Sequence, residues 1–316
     1  MVQYYRTIGL LTKLLFPKEH GVSELKDPII LEAAVRRLCA PGLAFAALLL
    51  VCYWPMLART GVLLSGGDDM AHGFFAPIVS LFIIWRNKDR ILAGAGHPSA
   101  LGLAALFLAA LLALAANLGG STTFQRFAFL GSLGGAALVL GGFGLLRQLI
   151  FPILLLLFTF PLPGVLYGEI TQPLQLTASR LSELTFELLG YSVLREGNIL
   201  QLAHTRLSVV EACSGIRSLS SLAFFCLSYI YFFDSRAWVR ALIVAAAVPA
   251  AIMLNVLRIV GTGLLAKYNP AWTHGPVHDT MGWTAFVIGF AMVFAFHRVL
   301  IVFIGHSHNL GEPQRP

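Results

Sequence analysis

The chain has 316 residues, 57 % of them hydrophobic and 12 % charged, with a formal net charge of +7. Globular proteins average about 25 % charged residues, so a chain this long and this poor in charge is excluded as an ordinary soluble domain and has the bilayer as its solvent. Its Lys and Arg residues stand singly between apolar runs, which orients membrane segments and argues against a nucleic-acid groove.

Residues 1–38 read as a cytoplasmic N-terminal segment. Met1 to Arg37 carries Arg6, Lys13, Lys18, Lys26, Arg36 and Arg37, and no small-residue cleavage site follows an early apolar core, so this is an amphipathic stretch on the inner membrane surface rather than a cleavable signal. A transmembrane domain is expected over 39–305 and a cytoplasmic tail over 306–316. Runs able to cross about 30 Å of hydrocarbon at about 1.5 Å per residue number about eight: Pro41–Leu57, His72–Trp85, Ser99–Leu118, Phe127–Leu146, Leu149–Leu166, Ser214–Phe233, Trp238–Ala266 and Thr280–Ile304. The fifth contains Pro152, Pro161 and Pro163, tolerated where neighbours re-satisfy the freed backbone. Gly131 and Gly135 in the fourth form a small-xxx-small pair suited to helix packing.

With both termini inside, the inner segments hold fourteen Lys or Arg residues and the outer segments six: Arg59, Arg126, Arg180, Arg195, Arg206 and Lys267. The longest outer segment, Tyr167–Cys213, opens with Glu169–Leu189, where Ile170, Leu174, Leu181, Leu184 and Leu188 recur as on an interfacial amphipathic helix. Val193–Leu202 then alternates about a Glu-Gly-Asn turn and Arg206–Val210 alternates again, predicting a small hairpin that delivers the chain to Cys213. The fold class is thus an all-α polytopic membrane protein with an outer amphipathic helix and a hairpin before a cysteine.

Ionisable side chains inside spans are expensive and mark function; Arg217 and Arg258 are the two arginines so placed. Counting outward from Arg236, Arg240 and Arg298 at about 1.5 Å per residue puts Cys213, Arg258 and His278 about 34, 27 and 30 Å from the inner side, one level on three helices. A thiolate is the nucleophile of a cysteine enzyme. Cys213 at a helix N-terminus gains from the macrodipole and from Arg217 one turn on. His278 has the right intrinsic basicity for a general acid or base, Arg258 the fixed charge for an oxyanion, and Asn255 lies on the face that could orient Arg258. Cys52 and Cys226 read as packing residues, and no disulfide framework is expected. His274 and His278 have a metal-compatible spacing, but Gly275 and Pro276 break the helix between them and no Glu follows His274, so neither a metal nor another cofactor is expected. His72 suits a structural role or the outer cavity, and His297 falls on the inner side, apart from the site.

At these residues the chain resembles a known family. Val209-Val-Glu-Ala-Cys-Ser-Gly-Ile-Arg-Ser-Leu219 is similar to the cysteine motif of the exosortase/archaeosortase family, Asn255-Val-Leu-Arg-Ile259 to its arginine motif and His278-Asp-Thr-Met-Gly-Trp283 to its histidine motif, in the same order. Leu194–Asn198 and His72-Gly-Phe-Phe-Ala-Pro77 with Trp85-Arg86 resemble further family segments, so the likeness runs from about Pro41 to Ile304. The resemblance implies a cysteine transpeptidase or protease of the bacterial inner membrane, with a periplasmic active site and both termini cytoplasmic. Its partners would be membrane lipid and PEP-CTERM-type proteins, which end in a Pro-Glu-Pro motif, a transmembrane helix and a basic tail; no nucleic acid is implied. Cys213 would be nucleophile, His278 acid/base and Arg258 transition-state stabiliser. The competing readings are a transporter or a non-enzymatic assembly factor for exopolysaccharide export, the latter tolerating Cys213→Ser, and a metal-dependent intramembrane protease.

Overall fold

A computed structural model describes residues 28–66, 71–161, 163–203, 205–209, 216–234, 236–269 and 276–309. The chain divides into two compact units, Met1–Pro161 and Leu162–Pro316. Residues 1–27 of the N-terminal stretch read as amphipathic, and Cys213 with the residues beside it, lie outside the described residues, and the rest of that stretch is helical.

The first unit contains α1 (Pro28–Cys52), α2 (Trp54–Gly66), α3 (Ala71–Arg86), the short α4 (Lys88–Ala93), α5 (Leu101–Leu118) and α6 (Thr122–Leu155), followed by a 3-10 turn over Leu156–Thr159. Two expectations are revised here. The first apolar run is not one straight helix, because Ala40–Cys52 and Trp54–Ser65 meet at 73°. The break falls at Pro55, which has no N–H to give Val51 and whose ring crowds that carbonyl, and proline sits most easily in a helix's first turn, where the new helix starting at Trp54 places it. The fourth and fifth runs form one stretch broken at Gly141–Gly142, not near Arg147, with φ +64° at Gly142. A side chain at Gly142 would strike the carbonyl of His97, so glycine is needed there for space as well as for conformation.

The two arms of α6 fold back on each other. Arg126 near its start lies over the ring of Phe160, 5.8 Å from the centroid, and Phe129 contacts the same ring at 6.4 Å. A straight helix from 126 to 155 would be over 40 Å long at about 1.5 Å per residue, so the reversal is at the glycines. Ser80 on α3 donates to the Pro152 carbonyl at 3.0 Å. Leu49, Tyr53, Met56, Ala128, Phe129 and Phe160 form the core at this unit's Arg126 end. The arm before the glycines packs on α5, where a Cβ on Gly135 would come within 3.0 Å of Leu106, the close approach expected of Gly131 and Gly135.

The second unit contains α7 (Gly164–Leu188), strands β1 (Val193–Glu196), β2 (Ile199–Leu202) and β3 (Thr205–Ser208), then α8 (Ile216–Phe233), α9 (Ala237–Ala266) and α10 (Pro276–Asn309). The fifth apolar run therefore stops short of Leu166: Pro161 and Pro163 cannot continue the preceding turn, and Pro163 instead stands as N-cap of α7. The hairpin is present with register Glu196↔Ile199, leaving Gly197 (φ +66°) and Asn198 as its loop; glycine at the first loop position is what a II′ turn requires. The second alternating segment joins it as β3, so the hairpin becomes a three-stranded antiparallel sheet in the order β1-β2-β3. Leu200, Leu207 and Val209 pack with Ala178 and Phe186 of α7 and Val256 and Ile259 of α9, and Arg195 of β1 is paired with Glu183 of α7 at 2.6 Å.

Among the described residues four helices are long and apolar enough to cross a bilayer, five if the bent pair counts as one crossing, while His72–Arg86 and Leu219–Phe233 are apolar but shorter. The molecule is a helical membrane protein; length and composition do not by themselves recover eight crossings, because Thr122–Thr159 is one such helix by this measure yet doubles back.

Candidate functional site

The candidate site lies in the second unit, where α8, α9 and α10 pack together. Asn255, Arg258 and Thr262 of α9 recur at three- and four-residue spacing, which puts them on one face, and they are 3 %, 8 % and 1 % exposed. A buried charge is retained only where it is paired or used.

Arg258 lies against the first turns of α10. A Cβ on Gly282 would sit 3.5 Å from its Cζ and 3.6 Å from Nη2, so the absence of a side chain there lets the guanidinium rest on the α10 backbone. Gly282 is one helical turn after His278. The two helices stay close on both sides of this contact, since a Cβ on Gly261 would meet Met281 Cε at 2.6 Å and one on Gly289 would collide with Leu254. Beside Arg258 opens a cavity of about 390 Å³ lined by Leu257, Gly261, Thr280, Met281 and Thr284 among others. Apart from the arginine and the two threonines its walls are apolar, so Arg258 is the one charged group among its lining residues.

α8 reaches the same level. Phe225 contacts Phe286 and Phe290 at 5.0 and 6.4 Å, and Tyr229 contacts Phe290, Phe294 and His297. α8 and α10 thus run in the same direction, and this offset carried back from Phe225 to Ile216 reaches 277–281 of α10. The start of α8, three residues after Cys213, is level with His278 and with the Arg258 contact. Arg217 and His278 are placed here as helical residues; their side chains are outside the described ones, as is all of Cys213. Asn255 is buried as its face requires, but its Oδ1 accepts no hydrogen bond among the described residues.

The sequence reading missed a polar stripe on α7. Thr171, Gln175, Ser179 and Ser182 are 4 %, 8 %, 0 % and 0 % exposed, while Ile170, Leu184 and Leu188 on the opposite side are 39 %, 48 % and 88 % exposed. Of the apolar face expected of this helix, Ile170, Leu184 and Leu188 look outward while Leu181 packs on the core, and the hydroxyls of Thr171, Ser179 and Ser182 look inward. The signal was the spacing 171, 175, 179, 182, one helical face. Among the described residues Thr171 Oγ1, Ser182 Oγ and Thr262 Oγ1 have no hydrogen-bond partner. No group of three His, Cys, Asp or Glu among the described residues could hold a metal ion. Cys226, read as packing, is fully buried in the core shared by α8, α9 and α10. His72 belongs to the first unit, 6 % exposed, its ring edge-on to Phe158.

A helical membrane protein with a buried arginine beside a cavity at one end of a three-helix packing is an integral membrane protein with its polar site built between helices. The family model Transmembrane exosortase (Exosortase_EpsH) matches residues 60–295, and the chain belongs to the transmembrane exosortase family. No curated protein and no solved structure matches it.

Proposed function

We propose that this membrane exosortase is a cysteine transpeptidase that acts on C-terminal sorting signals of the Pro-Glu-Pro, transmembrane helix and basic tail type. It works at the periplasmic face of the bacterial inner membrane, with both termini cytoplasmic. The observation that carries this reading is the position of Arg258, buried against α10 one turn from His278 and level with the helix that Cys213 precedes.

The reaction has two balanced halves. His278 takes the Cys213 proton, and the thiolate attacks the scissile carbonyl carbon. Arg258 stabilises the oxyanion that forms, with Arg217 adding positive charge at the start of α8. The C–N bond breaks as His278 returns the proton to the leaving amine, and a thioester remains on Cys213. An acceptor amine, or water, then gives its proton to His278 and attacks the thioester, expelling the Cys213 thiolate. Asn255 supports the Arg258 face.

The test is co-expression in membranes of a tagged substrate carrying the three-part signal with wild type, Cys213→Ala, His278→Ala and a Cys226→Ala control. Shortening of the substrate by wild type and the control, and not by the two site variants, supports the reading. Processing by Cys213→Ala removes the nucleophile and favours a non-enzymatic assembly factor.

A further inference from the structure

The first unit holds a second buried arginine. Arg126, on the second turn of α6, is 7 % exposed. Its one close partner among the described residues is the face of Phe160, and no carboxylate or carbonyl receives its donors there. Nε is wholly shut off without a hydrogen bond, so what exposure the residue keeps belongs to the rest of the side chain. A guanidinium left so carries a desolvation penalty that a bound anion removes.

We propose that Arg126 forms a phosphate site in the first unit, filled by the headgroup phosphate of an anionic membrane lipid. Two features select that chemistry. The guanidinium fork matches two phosphate oxygens, and the N-terminal turns of α6 add a favourable dipole. Arg126 sits about 6 Å along α6 from Thr122, hence near the headgroup level if α6 enters the membrane there. The flanking Leu118, Phe124 and Phe127 are 83 %, 54 % and 43 % exposed, an apolar margin for the acyl chains. This site is independent of the transpeptidase reading.

The test uses the purified full chain in detergent and thermal unfolding as readout. Phosphatidylglycerol raises the melting temperature of wild type and neutral diacylglycerol does not. Arg126→Met raises the half-saturating lipid concentration at least about tenfold, the loss expected for charge-assisted bonds, whereas Arg59→Met, at an exposed arginine of the same unit, leaves it unchanged. Without lipid, Arg126→Met is at least as stable as wild type, because an unpaired charge has been removed. A response to inorganic phosphate equal to that for the lipid keeps the site and makes free phosphate its ligand. The proposal is overturned if Arg126→Met responds to lipid as wild type does. It is equally overturned if that variant is less stable than wild type, or does not fold, without lipid, since the protein itself would then satisfy the guanidinium. Stabilisation by a carboxylate peptide and not by phosphate also overturns it.

Discussion

The two ends of the α8–α9–α10 packing are built on opposite principles. At the end where α8 leaves and α9 begins, Tyr229 Oη bonds His297 Nδ1 at 2.7 Å and His297 Nε2 faces Asp234 Oδ2 at 3.4 Å. Asp234 also receives the Arg236 amide on Oδ1 at 2.7 Å, and its carbonyl takes Arg240 Nε at 2.5 Å. With Nε2 protonated toward the carboxylate, Nδ1 is the acceptor for the tyrosine, so one tautomer satisfies the chain of bonds. At the other end stand Arg258 beside a cavity, and Asn255 Oδ1 and the Thr262 hydroxyl, which have no hydrogen-bond partner among the described residues. A connected buried polar network holds helices in register. On the proposed function, stability and chemistry fall at different ends of the same helices.

The largest expected break in that comparison is Arg258→Ala. If the arginine stabilises a transition-state charge, substrate processing falls about 100- to 1,000-fold, while helix content in detergent is retained; Arg258→Lys recovers little because the ammonium lacks the fork. A loss below tenfold in the membrane processing assay would return Arg258 to a packing role. At the opposite end, Asp234→Ala leaves the His297 Nε2–H buried without its acceptor. The cost is about 2 kcal/mol of stability, read as a lower melting temperature, with the processing rate per folded molecule unchanged. His297→Ala behaves alike. If either abolished processing without lowering stability, the separation of the ends would be wrong.

Much of this architecture was legible in the sequence. Arg236 and Lys267 bracket α9, and the alternation about Gly197 gives the hairpin, because hydropathy and turn chemistry are local properties. What escaped depends on packing. The break at Gly141–Gly142 lies inside a continuous apolar run, where the nearby Arg147 was the stronger local cue. The polar stripe of α7 escaped because Ser and Thr barely alter a hydropathy sum. His297 counted correctly to the end away from the site, yet its role depends on Asp234, 63 residues away, and on a helix offset that one dimension does not contain. For the site, depth counting brought Arg258 to the level where α10 begins, and the contact at Gly282 adds lateral proximity that counting along helices could not supply.

A finer test is Gly282→Val. A Cβ alone at this position makes ordinary contact with the guanidinium, 3.5 Å from Cζ, so Gly282→Ala is expected to keep near-wild-type processing. The branched valine needs space that Arg258 fills. It should displace the guanidinium and lower processing about tenfold, since a shift of about 1 Å in a positioned group can cost up to 100-fold. Equal rates for alanine and valine would show that the slot at Gly282 does not set the arginine's position.

The smallest expected effect is the most informative about the α7 stripe. Removing a hydroxyl that is hydrogen-bonded in a core costs about 1 kcal/mol, but removing one that is buried and unpartnered relieves a desolvation penalty instead. Ser179 donates to the Gln175 carbonyl at 2.8 Å, whereas Ser182, equally buried, has no partner among the described residues. Ser179→Ala should therefore lower stability slightly and Ser182→Ala should leave it unchanged or raise it, each by about 1 kcal/mol or less. The two substitutions delete the same atom from the same helix one turn apart, so differences in propensity and volume cancel in the comparison. If Ser182→Ala proves the more destabilising, its hydroxyl has a partner in the membrane, and the stripe belongs with the satisfied network of the opposite end rather than with the spare groups around Arg258.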